Sequence, residues 1–393
     1  MCGPTANVNL AAMIHLNSKL PHVGTTIFSV MSKLAAEHNA INLSQGFPDF
    51  DGPPELVELT TKYLREGKNQ YAPMAGVPLL TERVAEKTNI LYGSNYNPET
   101  EVTITAGGTQ AIFTALAATI HPGDEVIIFE PAYDSYAPSI KLLGGLVKPF
   151  ELSPPDYHID WNMVKKLLSN RTRMIILNSP QNPTGTILKQ EDIKQLTKLT
   201  KDTDILILSD EVYEHMVYDK NEHLSMAKFT ELRERSFIVS SFGKLFHNTG
   251  WKIGYCLAPE FLMKEFRKVH QYLVFSVNSP VQYAIADMLA KDDYYQSLNT
   301  FFEEKRNFFR NLLQQTRFQL LPCEGSYFQC AGIRGITNEK DFDFVKKLTT
   351  DFGVAAIPAS AFYSRSTDFG VIRFCFAKKQ ETLEKAVERL TKV

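Results

Sequence analysis

Five clusters of glycine and polar residues recur at one kind of place in this chain, directly after a short apolar run. They are Ala106-Gly-Gly-Thr-Gln110, Pro131-Ala-Tyr133, Ser179-Pro-Gln-Asn-Pro-Thr-Gly185, Asp210-Glu-Val-Tyr213 and Ser241-Phe-Gly-Lys244. A sixth oddity is Arg373, set inside the apolar stretch Val371-Ile-Arg-Phe-Cys-Phe376. An arginine in such a run usually has a specific anion partner. Singly, each has a bland reading. Asp210 could cap a turn, Asn182-Pro183 and the Gly107-Gly108 pair could mark loops, and Gly46 could be only a turn residue. Arg373 could belong to a structural ion pair, and Tyr71 could be a surface aromatic. The coincidence of five consecutive run ends is the stronger signal.

Together these residues meet the needs of a phosphorylated aldehyde carried on a pyridine ring. Amides at a helix N-terminus suit a phosphate, and Gly108, Thr109 and Gln110 open the helix predicted over Ala111–Ile120. Ser241 and Lys252 add a hydroxyl and a positive charge. The Lys244 amine suits the aldehyde, and Asp210 can keep the ring nitrogen protonated. Asn182 and Tyr213 can bond a phenolic oxygen, Tyr133 can stack on the ring, and Arg373 can take a carboxylate bidentately.

The elements that must position these groups follow from the apolar runs Val102–Thr105, Glu125–Glu130, Met174–Asn178, Ile205–Ser209, Phe237–Ser240 and Ile253–Ala258. They are continuous rather than alternating, as strands buried on both faces are, so an α/β fold with a mostly parallel sheet covered by helices is expected. In such sheets ligands bind beyond the carboxyl ends of the strands. A helix is predicted over Thr26–His38 and a long charged one over Asp292–Gln315. Strand-like pieces follow at Ser326–Cys330 and Val371–Phe376, and a last helix at Lys379–Thr391. The expected division is a large domain over 41–284 and a smaller α+β domain from 1–40 and 285–393.

The 393 residues carry 42 basic and 44 acidic side chains, a net charge of −2, which gives no field for nucleic acid or an anionic membrane. No stretch of about 18 apolar residues offers a membrane span. Five cysteines without a CxxC pair argue against a disulfide framework or zinc site and fit a reducing cytosol. His15, His22, His121 and His270 carry no metal-binding spacing, and no HExxH occurs.

On these residues the chain resembles the fold-type I, class I/II aminotransferases. Asn182-Pro-Thr-Gly185, Asp210-Glu-Val-Tyr213, Ser240-Ser-Phe-Gly-Lys244, Gly250-Trp-Lys-Ile-Gly254 and the late Arg373 match that family in order and spacing, over nearly the whole chain. Within it the chain most resembles the bacterial methionine aminotransferases, relatives of the kynurenine and glutamine aminotransferases. The stretches Gly24-Thr-Thr-Ile-Phe28, Asn42–Gly52, Asn69-Gln-Tyr-Ala-Pro73 and Val269-His-Gln-Tyr272 carry that closer likeness.

The resemblance implies pyridoxal 5'-phosphate as cofactor, held at its phosphate by Gly108, Thr109, Gln110, Ser241 and Lys252, with Lys244 bonded to its aldehyde carbon. It implies Asp210 at the ring nitrogen, Asn182 and Tyr213 at the phenolic oxygen, Tyr133 on the ring face, and Arg373 with the backbone of Gly46 on the substrate carboxylate. Tyr71 matches a tyrosine that reaches the phosphate from another subunit, which implies a homodimer with shared active sites. Ile27, Phe28 and Phe362 are candidates for an apolar side-chain pocket. The expected reaction is ping-pong transfer of an amino group from an L-amino acid, methionine first, with an aromatic amino acid or glutamine as alternatives, to a 2-oxo acid. The alternatives are a cysteine-S-conjugate β-lyase on the same fold and a non-catalytic regulator, the latter disfavoured because no helix-turn-helix or basic segment accompanies the domain.

Overall fold

The structure, a computed structural model, describes residues 17–291 and 293–393. The first sixteen residues of the segment assigned to the smaller domain, and the first residue of the predicted helix Asp292–Gln315, lie outside the described residues.

All six apolar runs form strands of one seven-stranded sheet. In chain order these are β1 (Val102–Thr105), β2 (Glu125–Glu130), β3 (Leu146–Glu151), β4 (Thr172–Asn178), β5 (Leu206–Asp210), β6 (Ser236–Ser241) and β7 (Gly254–Leu257), arranged β1-β7-β6-β5-β4-β2-β3. The pairs from β3 across to β6 are parallel, while β7 runs antiparallel to both β1 and β6. The run 253–258 could not disclose that reversal, because a strand buried on both faces reads the same in either direction. Strand β3 carried no apolar-run signal. It pairs only with β2, its residues are exposed or half-buried, and it contains Pro149, which an edge strand tolerates.

Register brings the functional clusters to one edge. Asn178 lies opposite Asp210, Asp210 opposite Val239, and Ser241 opposite Gly254. The helix following β1 starts at Gly108, earlier than the sequence suggested, because Gly107 adopts φ +80° and turns the chain at once.

A second, antiparallel sheet contains β8 (Gln319–Leu320), β9 (Phe328–Gly332), β10 (Ile357–Pro358) and β11 (Val371–Cys375), in the order β10-β11-β9-β8. Arg373 sits at its centre, opposite Cys330 on one side and Ile357 on the other. Ile41–Asn42 pairs with Val354–Ala355, and the Cys375 amide donates to the Leu43 carbonyl at 2.8 Å. These bonds carry the loop containing Ser44 and Gly46 onto the end of β11. The predicted helices form as Ile27–Glu37, Asp293–Leu313 and Gln380–Leu390. The first is capped by Thr26, whose hydroxyl accepts from the Ser29 amide at 3.3 Å. No helix among the described residues is long and apolar enough to cross a membrane.

Beneath the β5–β6 edge lies a buried ion pair. Glu214 accepts from Lys87 at 2.8 Å, Ser240 at 2.5 Å, Tyr255 at 2.8 Å and Tyr92 at 2.7 Å. Burial alone would push this carboxyl up, but the Lys87 ammonium and the bonds from Lys87 and Ser240 hold it well below the usual range. The cluster ties the helix Pro78–Tyr92 to the turn that follows Asp210. Removing one partner strands a buried charge, at a cost of about 3–5 kcal/mol. Lys87→Met is therefore expected to lose about that much stability by urea unfolding, and Lys87→Met with Glu214→Leu to regain most of it. With its folded-state pKa depressed, Glu214 adds stability above its unfolded value and loses it as pH falls.

Candidate active site

Beyond the carboxyl ends of β4, β5 and β6 lies a cavity of about 250 Å³, closed on its far side by Phe328 and Arg373 from the second sheet. Gly46, Gly108, Thr109, Tyr133, Asn182, Asp210, Tyr213, Ser241, Lys244, Lys252 and Arg373 all line it. Gln110 and Tyr71 do not.

At the helix start, the first intrahelical bond runs from the Ala111 amide to the Gly107 carbonyl at 3.3 Å. The amides of Gly108, Thr109 and Gln110 precede it and have no intrahelical acceptor. The Lys252 Nζ stands 3.4 Å from where a β-carbon on Gly107 would be, so its charge adjoins these amides. The Gln110 side chain turns away. Its Oε1 accepts from the Ala106 amide at 2.9 Å, and its Nε2 reaches Thr114 Oγ1 at 2.5 Å and His270 Nδ1 at 3.2 Å. Only the backbone of Gln110 is available at the helix start.

Asp210 ends β5, buried. Tyr136 donates to its Oδ2 at 2.5 Å and the Val212 amide to its Oδ1 at 3.3 Å. Burial pushes the carboxyl up to about 6, against the opposing bond from Tyr136. Asn178 links the neighbouring turn, donating to the Asp210 carbonyl at 2.9 Å and accepting from the Asn182 amide at 2.8 Å. Tyr133 is partly buried at the rim, its hydroxyl 3.3 Å from Thr109 Oγ1.

The Lys244 amine is enclosed. It donates to the Tyr327 hydroxyl at 2.5 Å and the Gly46 carbonyl at 3.1 Å. Burial lowers its pKa to about 8. A β-carbon on Gly46 would stand 2.8 Å from the tip of the Phe328 ring, so a larger residue there would have to displace that ring. Arg373 donates to Asn182 Oδ1 and to the Ser44 carbonyl, both at 2.7 Å, and its buried Nε has no acceptor. It enters no ion pair among the described residues, so the structural ion-pair reading is not met. Its guanidinium lies 4.0 Å from the Phe328 ring and 5.4 Å from those of Phe28 and Phe362. Phe28 reaches the cavity and packs on Phe362 with centroids 5.9 Å apart. Neither Ile27 nor Phe362 is part of the lining.

Tyr71 is 81% exposed and stands edge-on to Phe275, beside a separate surface hollow. Within one chain it contributes nothing to the cavity. Sequence reasoning missed Tyr136, Tyr327 and Asn178. Asn178 had a legible signal as the last residue of an apolar run; the two tyrosines had none.

The donors fit a phosphorylated pyridine aldehyde: free amides beside a cation, an enclosed primary amine, a buried carboxyl and an aromatic rim. The family profile described as Aminotransferase class I and II matches residues 38–390. The methionine aminotransferase of Escherichia coli (strain K12) is 50% identical over 374 residues, which are 95% of this chain and 97% of that protein. Kynurenine–oxoglutarate transaminase 1 of Homo sapiens is 34% identical, covering 92% of this chain and 94% of its own. A solved Escherichia coli structure, described as identifying a methionine aminotransferase function, superposes with a TM-score of 0.95 at 48% identity, over 97% of this chain and 100% of that one.

Because Asp210 is raised, its ionisation costs the cofactor-free chain stability as pH rises from its unfolded value, near 4, through about 6. Cofactor-free Asp210→Asn is expected to be more stable than cofactor-free wild type at pH 8, by about 2–3 kcal/mol. The gap should close below pH 4, read by urea unfolding at each pH.

Proposed function

Because the chain belongs to the class I and II aminotransferases, we propose that it moves the amino group of L-methionine to a 2-oxo acid, with Lys244 as the working amine. The chain is a pyridoxal-phosphate-dependent aminotransferase. The observation that carries the finer reading is one cavity lined by a primary amine and a guanidinium, neither paired with a carboxylate among the described residues.

When bound, pyridoxal phosphate supplies an aldehyde that condenses with a primary amine, losing water, and a protonated ring that accepts the electron pair left on the substrate carbon. The residues divide the remaining work. The amides of Gly108, Thr109 and Gln110, with Ser241 and Lys252, hold the phosphate at the helix N-terminus. Asp210, anchored by Tyr136, holds the proton on the ring nitrogen. Asn182 gives its Oδ1 to Arg373, which leaves its Nδ2 hydrogens, with the Tyr213 hydroxyl, to bond the phenolic oxygen. Tyr133, on the cavity lining, would stack on the ring face.

Arg373 and the backbone of Gly46 receive the substrate's α-carboxylate. The guanidinium is ready for this, since its present acceptors are neutral and its Nε is free. With the cofactor bound, Lys244 would move the proton between the substrate α-carbon and the cofactor's aldehyde carbon. Its pKa of about 8 leaves a fraction of uncharged amine near neutral pH. Support for methionine comes from the 50%-identical relative and from the apolar Phe28 and Phe362 beside Arg373.

The homodimer is part of the proposal. Tyr71 is exposed in one chain and is read as completing the phosphate site of a partner subunit. A cytosolic setting is read from the four buried free thiols.

Lys244→Ala is expected to lower kcat about 10²–10⁴-fold or more, measured as formation of methionine's 2-oxo acid in the presence of an amino acceptor. Turnover at the wild-type rate would refute the assignment. Release of pyruvate and ammonia from a cysteine conjugate without an added 2-oxo acid, exceeding transamination of methionine, would instead favour elimination.

A further inference from the structure

We propose that Tyr327 is a positioning residue for Lys244, its hydroxyl holding the lysine amine against the Gly46 carbonyl whenever that amine is free. This rests on the reading of Lys244 as the reacting amine. Tyr327 immediately precedes β9, and its side chain is wholly enclosed. Its ring is wedged edge-on between Tyr213 and Phe328, at centroid distances of 5.1 and 4.9 Å, and lies 5.8 Å from Phe302. The hydroxyl is thereby fixed in place. It donates its proton to the Gly46 carbonyl and accepts from Lys244 Nζ at 2.5 Å, while the same amine donates to Gly46 at 3.1 Å.

The three groups close a triangle. A lysine stem has four rotatable bonds and costs conformational entropy to order. Two acceptors fixed by different elements restrict it far more than one would. The triangle also joins the amine to the loop assigned to the substrate carboxylate, so the lysine is held where the α-carbon must come. Burial keeps the Tyr327 phenol protonated. Toward the lysine its oxygen therefore acts as an acceptor.

The charged and titratable groups facing the amine are Asp210 from β5, Tyr213 from the turn after it, Lys252, and Arg373 and Cys375 from β11. Burial lowers the lysine first, Arg373 and Lys252 add to that, and Cys375 and Asp210 oppose it. An acceptor favours the ammonium form, so losing the Tyr327 hydroxyl moves the amine's titration to lower pH.

The test compares wild type with Tyr327→Phe, which keeps the ring. Each is stripped of cofactor, given pyridoxal phosphate from pH 6 to 10, and followed by the growth of visible absorbance. The rate is expected to have its midpoint near 8 in wild type and about one pH unit lower in the variant. The variant's kcat should fall about tenfold or more at a methionine KM within about twofold. Tyr327→Met, which also lacks the hydroxyl, should show the same shift.

An unmoved midpoint with unchanged kcat overturns the proposal. A lowered melting temperature with an unmoved midpoint also overturns it, since that is what a packing role alone would give. Wild type that gains no visible absorbance overturns the assignment of Lys244 itself, an outcome distinct from a variant that behaves like wild type.

Discussion

A guanidinium taken wholly out of water is costly unless something answers its charge, and Arg373 is enclosed at the centre of an antiparallel sheet where, among the described residues, the Asn182 amide oxygen and the Ser44 carbonyl accept from it. Two other buried cations of the chain have carboxylate partners, while Lys378, also buried, donates to the Phe47 carbonyl at 2.7 Å. Lys87 faces Glu214 at 2.8 Å, and Arg306 takes Asp219 through both terminal nitrogens at 2.6 Å. Lys244 follows the Arg373 pattern, with neutral acceptors and a lowered pKa. Arg373, buried, and Lys244, partly buried, open on one cavity with no carboxylate partner among the described residues, an arrangement suited to receiving an anion. Much of the surrounding structure serves to keep them there.

The β4–β5 register sets Asn178 beside Asp210, and Asn178 then carries Asn182 to the acceptor position for Arg373. The Cys375–Leu43 backbone bond lays the 44–46 loop over β11, where Ser44 meets Arg373 and Gly46 meets Lys244. The Glu214 cluster fastens the turn bearing Asp210 and Tyr213 from beneath. The helix start at Gly108 remains unmet by intrahelical acceptors, with Lys252 beside it. Each sheet supplies one kind of charge handling: the parallel edge offers a carboxyl, an amine and a helix terminus, and the antiparallel sheet offers the guanidinium.

Most of this was legible because it lies in local pattern. Continuous apolar runs marked six of seven strands, and what followed each run marked the ligand edge. The failures have physical causes. Strand β3 is an edge strand with a proline and a wet face, so it lacks the buried-run signature. The direction of β7 leaves no trace in composition. Gln110 belongs to the expected phosphate group by position, yet its side chain satisfies the Ala106 amide, which leaves only its backbone amide at the helix start. Tyr327 and Tyr136 act across 83 and 74 residues of chain separation, on Lys244 and Asp210 respectively, and nothing in their own neighbourhoods sets them apart from core tyrosines. Tyr71 is placed by the family likeness rather than by anything within the single chain.

The central proposal is that Lys244 carries the cofactor in the cavity it shares with Arg373 and Phe28. The most direct test is the absorption spectrum of the purified protein before and after methionine is added, with no 2-oxo acid present. A band at the violet edge of the visible that bleaches on adding methionine, and returns on adding a 2-oxo acid, is the predicted result. A protein that stays colourless after incubation with pyridoxal phosphate, or a band that methionine leaves unchanged, would contradict it.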